Sequence, residues 1–67
     1  MIKINELKKD AVFVSPVIQT TYTVSYEENN NIIFRAKNPT VARETERRIS
    51  KVGALIFLNS HKYAAVE

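Results

Sequence analysis

The sequence predicts a small α+β domain: an antiparallel sheet of four to five strands with one α-helix packed on one face. Residues 18–26 alternate apolar and polar side chains over nine positions, which is the period of a strand packed on one side only. Residues 38–53 combine a helix start signal, an amphipathic spacing and a stop signal. The predicted order is β-β-β-α-β-β, in one domain over residues 1–67.

The first half of the chain predicts a helical turn followed by the first strand. Residues 4–9 have the apolar spacing of a single helical turn. Residues 11–15 are rich in β-forming side chains, and Pro16 interrupts them, so we expect the sheet to begin with an edge, a bend or a bulge.

Residues 18–26 and 32–37 predict a hairpin around an Asn-rich turn at residues 27–31, because Asn tolerates left-handed backbone conformations. The alternation places Tyr22 and Val24 on the face that meets the helix. It places Thr21 and Thr23 on the opposite face.

The helix is predicted over residues 39–52. Asn38 can cap the free amides, Pro39 suits the first helical position, and Gly53 is the residue type that commonly ends a helix. At about 100° per residue, one set of side chains falls within an arc of roughly 100° and predicts the core face. That set is Val41, Ala42, Thr45, Ile49 and Val52, with Ile49 expected to be buried.

The last third of the chain predicts two more strands. Residues 54–59 are apolar on both faces, as in the central strands of sheets. Residues 59–61 indicate a turn, and residues 62–66 a last short strand.

Composition limits how the chain can be stabilised. A chain of 67 residues buries little, and with no cysteine it has neither a disulfide nor a thiolate metal site. Good packing or self-association must supply the stability, so a homodimer is expected. The first six residues lack the apolar segment of a signal peptide, and the longest apolar run, residues 54–58, falls far short of the roughly 20 needed to span a membrane. We expect a soluble protein in the cytoplasm.

Charge is unevenly distributed along the chain. Residues 1–31 sum to −1, whereas residues 32–67 sum to +4, within a net charge of +3. This asymmetry favours an acidic or polyanionic partner.

The residues that enzymes use are mostly missing, so a non-enzymatic protein without metal or cofactor is expected. The single histidine, His61, lies in a predicted turn and has no orienting partner at a suitable spacing. Glu27 and Glu28 precede three Asn residues but lack the spacing of a calcium loop, and one glycine cannot form a Gly-rich phosphate loop.

Two sets of residues are candidates for partner binding. Arg43, Arg47 and Lys51 form an i, i+4, i+8 stripe on the predicted helix, which Arg35, Lys37 and Arg48 extend. Such a face can bind phosphates, although Glu44 and Glu46 are spaced to pair with the arginines and no aromatic residue is interleaved to stack bases. The other candidate is the apolar sheet face with Tyr22 and Tyr26, part of which a single helix leaves uncovered.

In size, element order and lack of catalytic groups, the chain resembles the small accessory proteins of bacteriophages and mobile elements. The resemblance implies a protein that binds and inhibits or redirects a host macromolecular complex, in the host cytoplasm if a phage encodes it. Two alternatives stay open: a small nucleic-acid-binding protein that uses the basic helix face, and a structural or virion assembly subunit.

Overall fold

The computed structural model describes residues 1–66, which form a five-stranded antiparallel sheet and one α-helix. This confirms the predicted α+β class. The strands stand in the spatial order β4-β3-β2-β1-β5. In chain order the elements are a 3₁₀ turn (Ile4–Glu6), β1 (Val12–Val14), β2 (Thr21–Glu27), β3 (Asn31–Asn38), β4 (Val41–Ser50), α1 (Lys51–Ser60) and β5 (Ala64–Ala65).

The β2–β3 hairpin has the predicted facing. Tyr22 pairs with Ala36, and Val24 pairs with Phe34, so all four residues share the face that carries the core. Val24 is fully buried, and the Tyr22 ring lies 5.3 Å from the ring of Phe57 on α1. Tyr22 and Val24 therefore lie on the predicted core face and Thr21 and Thr23 on the other, although the helix on the core face is not the one predicted.

The hairpin departs from simple alternation at Ser25. The register shifts between Val24 and Tyr26, and the Ser25 hydroxyl donates a hydrogen bond to the Ile33 carbonyl oxygen at 3.1 Å. Tyr26 consequently pairs with Ile33 on the face opposite the core, where it is 51% exposed. The prediction that Tyr22 and Tyr26 share one face is wrong, because a bulge reverses the facing of every later residue.

The helix predicted over residues 39–52 is wrong, because Val41–Ser50 is strand β4. The Asn38 side-chain oxygen accepts hydrogen bonds from the Thr40 amide (2.9 Å) and hydroxyl (2.6 Å). Asn38-Pro39 thus begins a turn, which is a role that this pair favours. Beyond it, Thr45 pairs with Ala36, and Ile49, expected to be buried in a helix, pairs with Ile32 and is half-buried.

The helix instead occupies Lys51–Ser60, so the strand predicted over residues 54–59 is also wrong. Ser50 is its N-cap and accepts a hydrogen bond from the Gly53 amide at 3.0 Å. Gly53 therefore lies in the first turn and does not end a helix. Ala54 and Leu58, one helical turn apart, are fully buried, and an apolar run this short fits a buried strand or a helix equally well. The observed order is β-β-β-β-α-β.

The core lies between one face of the sheet and a layer made of α1 and the N-terminal segment. Asn59 joins the two parts of this layer: its side-chain oxygen accepts from the Ile2 amide (2.8 Å), and its side-chain nitrogen donates to the Ile2 carbonyl (3.1 Å). The buried apolar residues are Ile2, Leu7, Phe13, Val24, Ile32, Phe34, Ala54, Leu58 and Tyr63.

The ten-residue helix α1 is much shorter than a bilayer is thick. Within residues 1–66 no helix is long and apolar enough to cross a membrane.

Candidate functional site

A mainly apolar concave surface lies on the core face of the sheet, between β4 and α1. We call it the β4 groove. It has a volume of about 270 Å³ and is lined by Tyr22, Phe34, Ala36, Thr45, Arg47, Ile49 and Phe57.

The groove exists because the helical layer does not extend over β4. The buried residues of α1, Ala54 and Leu58, join the same core as Phe13 and Val24 of the inner strands. On β4, nine of the ten residues are exposed, and Ile49 alone packs partly against the core. The apolar face of the sheet therefore ends in an open trough at this edge.

Packed aromatic rings hold the floor and one wall of the groove in place. The Tyr22 ring lies 5.2 Å from Phe34, 5.3 Å from Phe57 and 5.5 Å from Tyr63, measured between ring centroids. The buried Tyr63 hydroxyl donates a hydrogen bond to the Thr20 carbonyl oxygen at 2.8 Å, and burial raises the pKa of Tyr63. Because each ring contacts another ring, the groove is preformed.

Arg47 supplies the charge at the groove. It pairs with Phe34 across β3 and β4, which places its side chain on the core face. Among residues 1–66, the ion pairs are Arg35–Glu46 (3.3 Å), Arg48–Glu28 (2.8 Å) and Lys51–Glu27 (2.7 Å). Arg47 takes part in none of them.

The predicted basic stripe is not one surface. Arg35 and Lys37 pair with Thr23 and Thr21 on the face opposite the core, and Arg48 lies on that face opposite Ile33. Arg43 is exposed on β4, where the register with β3 shifts. The stripe depended on helical spacing, whereas neighbouring residues of a strand point to opposite faces.

Lys51 lies apart from the β4 arginines, in the first turn of α1. Its ammonium is 2.7 Å from the Glu27 carboxylate, and its side chain is 15% exposed. The hydrogen bond and charge of Lys51 lower the pKa of Glu27 below the ordinary value of 4.5. Lys51 thus ties the start of the helix to the end of β2.

The remaining candidates from the sequence are placed as follows. His61 is exposed and its ring lies 4.7 Å from that of Phe57, while Glu27 and Glu28 are both ion-paired. Within residues 1–66 no three His, Asp or Glu side chains converge as metal ligands do.

Sequence reasoning missed most of the groove. Thr45 and Ile49 were assigned to a buried helix face, and Phe57 to a central strand. The period-two spacing of Thr45, Arg47 and Ile49 was the available signal, since every second residue of a strand lies on one face.

Comparison with protein-family models, with curated proteins and with solved structures finds no match for this chain. The functional proposal accordingly rests on the surfaces of the chain itself.

Proposed function

We propose that the protein is a non-enzymatic binding protein that recognises another protein through the β4 side of its sheet. The observation that carries this proposal is the β4 groove, an apolar trough with Arg47 on its wall, beside an exposed edge strand.

The edge strand itself supports a protein partner. β4 is ten residues long and pairs with β3 on one side only, so its outer backbone groups are free to pair with an added segment. An extended segment added to such an edge gains main-chain hydrogen bonds, while pockets on the sheet face select its side chains. The β4 groove is such a pocket.

The distribution of basic residues favours protein over nucleic acid. Three of the six candidate cations, Arg35, Arg48 and Lys51, are already paired with carboxylates. Phosphate binding by these residues would first have to break those pairs. The others do not share one face, whereas a nucleic-acid backbone needs several cations along one groove or stripe.

The physiological role that we propose is inhibition or redirection of a host complex in the cytoplasm, as in the small accessory proteins that the chain resembles in size and in its lack of catalytic groups. A surface of this kind acts by occupying its partner, which requires no catalytic group. The structural or virion subunit is the alternative in which the partner is a further assembly protein.

The test is affinity capture from the native host with the double variant Arg43→Gln/Arg47→Gln. Gln keeps much of the side-chain length and removes both charges, so capture of the partner should fall while the melting temperature is retained. Lys3→Gln/Lys8→Gln removes the same charge from exposed residues elsewhere and should capture normally. Equal capture by both double variants would contradict the proposal.

A second experiment tests the alternative that the protein binds nucleic acid. Fluorescence anisotropy with labelled duplex and single-stranded DNA, at low and at physiological salt, should show no strong binding. Affinity that falls steeply with salt and is lost in the Arg43/Arg47 variant would favour the nucleic-acid alternative.

A further inference from the structure

We infer that the β4 groove takes an aromatic side chain of the partner together with an Asp or Glu two residues away, on the same face of the added strand. This inference rests on the proposed function and specifies the partner's chemistry at one position.

The aromatic part follows from the groove's lining. Three aromatic rings and one branched aliphatic side chain line it: Tyr22, Phe34, Phe57 and Ile49. The Tyr22 ring already contacts Phe34 and Phe57 at centroid distances of 5.2 and 5.3 Å, in tilted and edge-to-face arrangements. A further ring entering the trough extends the same cluster, and aromatic pairs are favourable beyond the area that they bury.

The acidic part follows from Arg47. Its guanidinium belongs to the groove wall and has no carboxylate partner within residues 1–66, while its sequence neighbour Arg48 is bound to Glu28 on the other face. A guanidinium offers a planar set of donors that matches a carboxylate, and its attraction is stronger beside apolar walls that exclude water. A cationic residue in this place would be repelled.

The inference is tested by NMR titration of isotope-labelled full-length protein with two capped pentapeptides, Gly-Asp-Gly-Phe-Gly and Gly-Lys-Gly-Phe-Gly. The Asp peptide should bind with a Kd of about 1 mM, as expected of a fragment this small. The chemical shift changes that it causes in the protein should centre on Arg47, Ile49 and Phe57. The Lys peptide should bind at least about tenfold more weakly, the cost of losing a charge-assisted hydrogen bond.

Charge reversal makes the test specific. Arg47→Glu should exchange the preference, binding the Lys peptide better than the Asp peptide. Arg48→Glu makes the same charge change on the next residue, which lies on the opposite face, and should keep the wild-type preference. Ala36→Leu fills the groove floor without removing a core contact and should abolish binding of both peptides.

Three results would overturn the inference: no shifts with the Asp peptide, shifts located away from the groove, or an unchanged preference in Arg47→Glu. The protein-binding proposal fails separately, through unchanged capture by Arg43→Gln/Arg47→Gln. In another outcome, capture is lost in that variant while the Asp peptide changes no chemical shift of the groove residues. In that case the binding proposal stands and only this inference is rejected.

Discussion

Ser50 both ends β4 and caps α1. Its hydroxyl accepts the Gly53 amide at 3.0 Å, which satisfies one of the free donors of the first helical turn. Ser50→Ala should therefore lower the free energy of unfolding by about 1 kcal/mol in urea titrations. Ser60→Ala, the same change at the exposed far end of α1, is the matched control and should cost far less. Equal losses in both variants would contradict the capping role.

Glu27 makes stability depend on pH. Since Lys51 lowers the pKa of Glu27 in the folded state, the unfolded chain binds a proton first as the pH falls. The stabilisation is fully present above the ordinary pKa of 4.5 and is lost as the pH drops through the lower folded value. Glu27→Gln should therefore lower the melting temperature at pH 7, and the difference from wild type should shrink below about pH 4.5. A difference that is constant from pH 7 to strongly acidic solution would show that the ion pair has no such effect.

At the scale of elements, α1 has one buried face and one exposed face, although its sequence is apolar nearly all round. Leu58 is fully buried, whereas Ile56, two residues earlier, is 63% exposed. Leu58→Ala should cost roughly 2–5 kcal/mol, and Ile56→Ala well under 1 kcal/mol, measured by urea denaturation. If Ile56→Ala were the more destabilising change, the helix would pack with a different face.

The β2–β3 hairpin and the β1 strand were predictable because their signals are local and agree with one another. The alternation of residues 18–26 specifies a face, and the Asn-rich turn specifies where the chain reverses. The bulge at Ser25 was not predictable, because its hydrogen bond goes to Ile33 on another strand. That single contact decides which face Tyr26 occupies.

The second half of the chain carried signals that fit two structures. Asn38-Pro39 begins a helix or a turn, and residues 41–49 satisfy both a helical arc and a strand face. Residues 41–50 form a strand because they pair with β3, where Phe34 lies opposite Arg47 and Ala36 lies opposite Thr45. The groove could not be predicted once this segment was assigned to a helix, because its walls come from β4 and α1 as they are folded here.

At the scale of the whole molecule, the chain exposes more surface than its mass requires. The accessible surface is 4840 Å², against about 4300 Å² for a typical monomer of this mass. The exposed β4 strand lies at one edge of a molecule measuring 32 × 23 × 20 Å. The exposed residues of β4 contribute to this excess.

Self-association stays a prediction of the small core. Sedimentation at micromolar concentration should show a species heavier than 7.7 kDa, and a 7.7 kDa species alone would contradict it. One register between the β4 edges of two copies is disfavoured by charge. Antiparallel pairing centred on Thr45 would set Arg43 against Arg47 and Glu44 against Glu46, and like charges directly opposite are destabilising.

The direct junction of β4 and α1 couples the sheet edge to the helix without a loop between them. Edge strands open locally more readily than central ones, and each opening that carries Ser50 away also withdraws the acceptor of the Gly53 amide. Hydrogen exchange at Gly53 should therefore follow the opening of the strand end. A ligand that clamps β4 would slow that exchange from a distance, which makes the Gly53 amide a built-in reporter of what the edge strand binds.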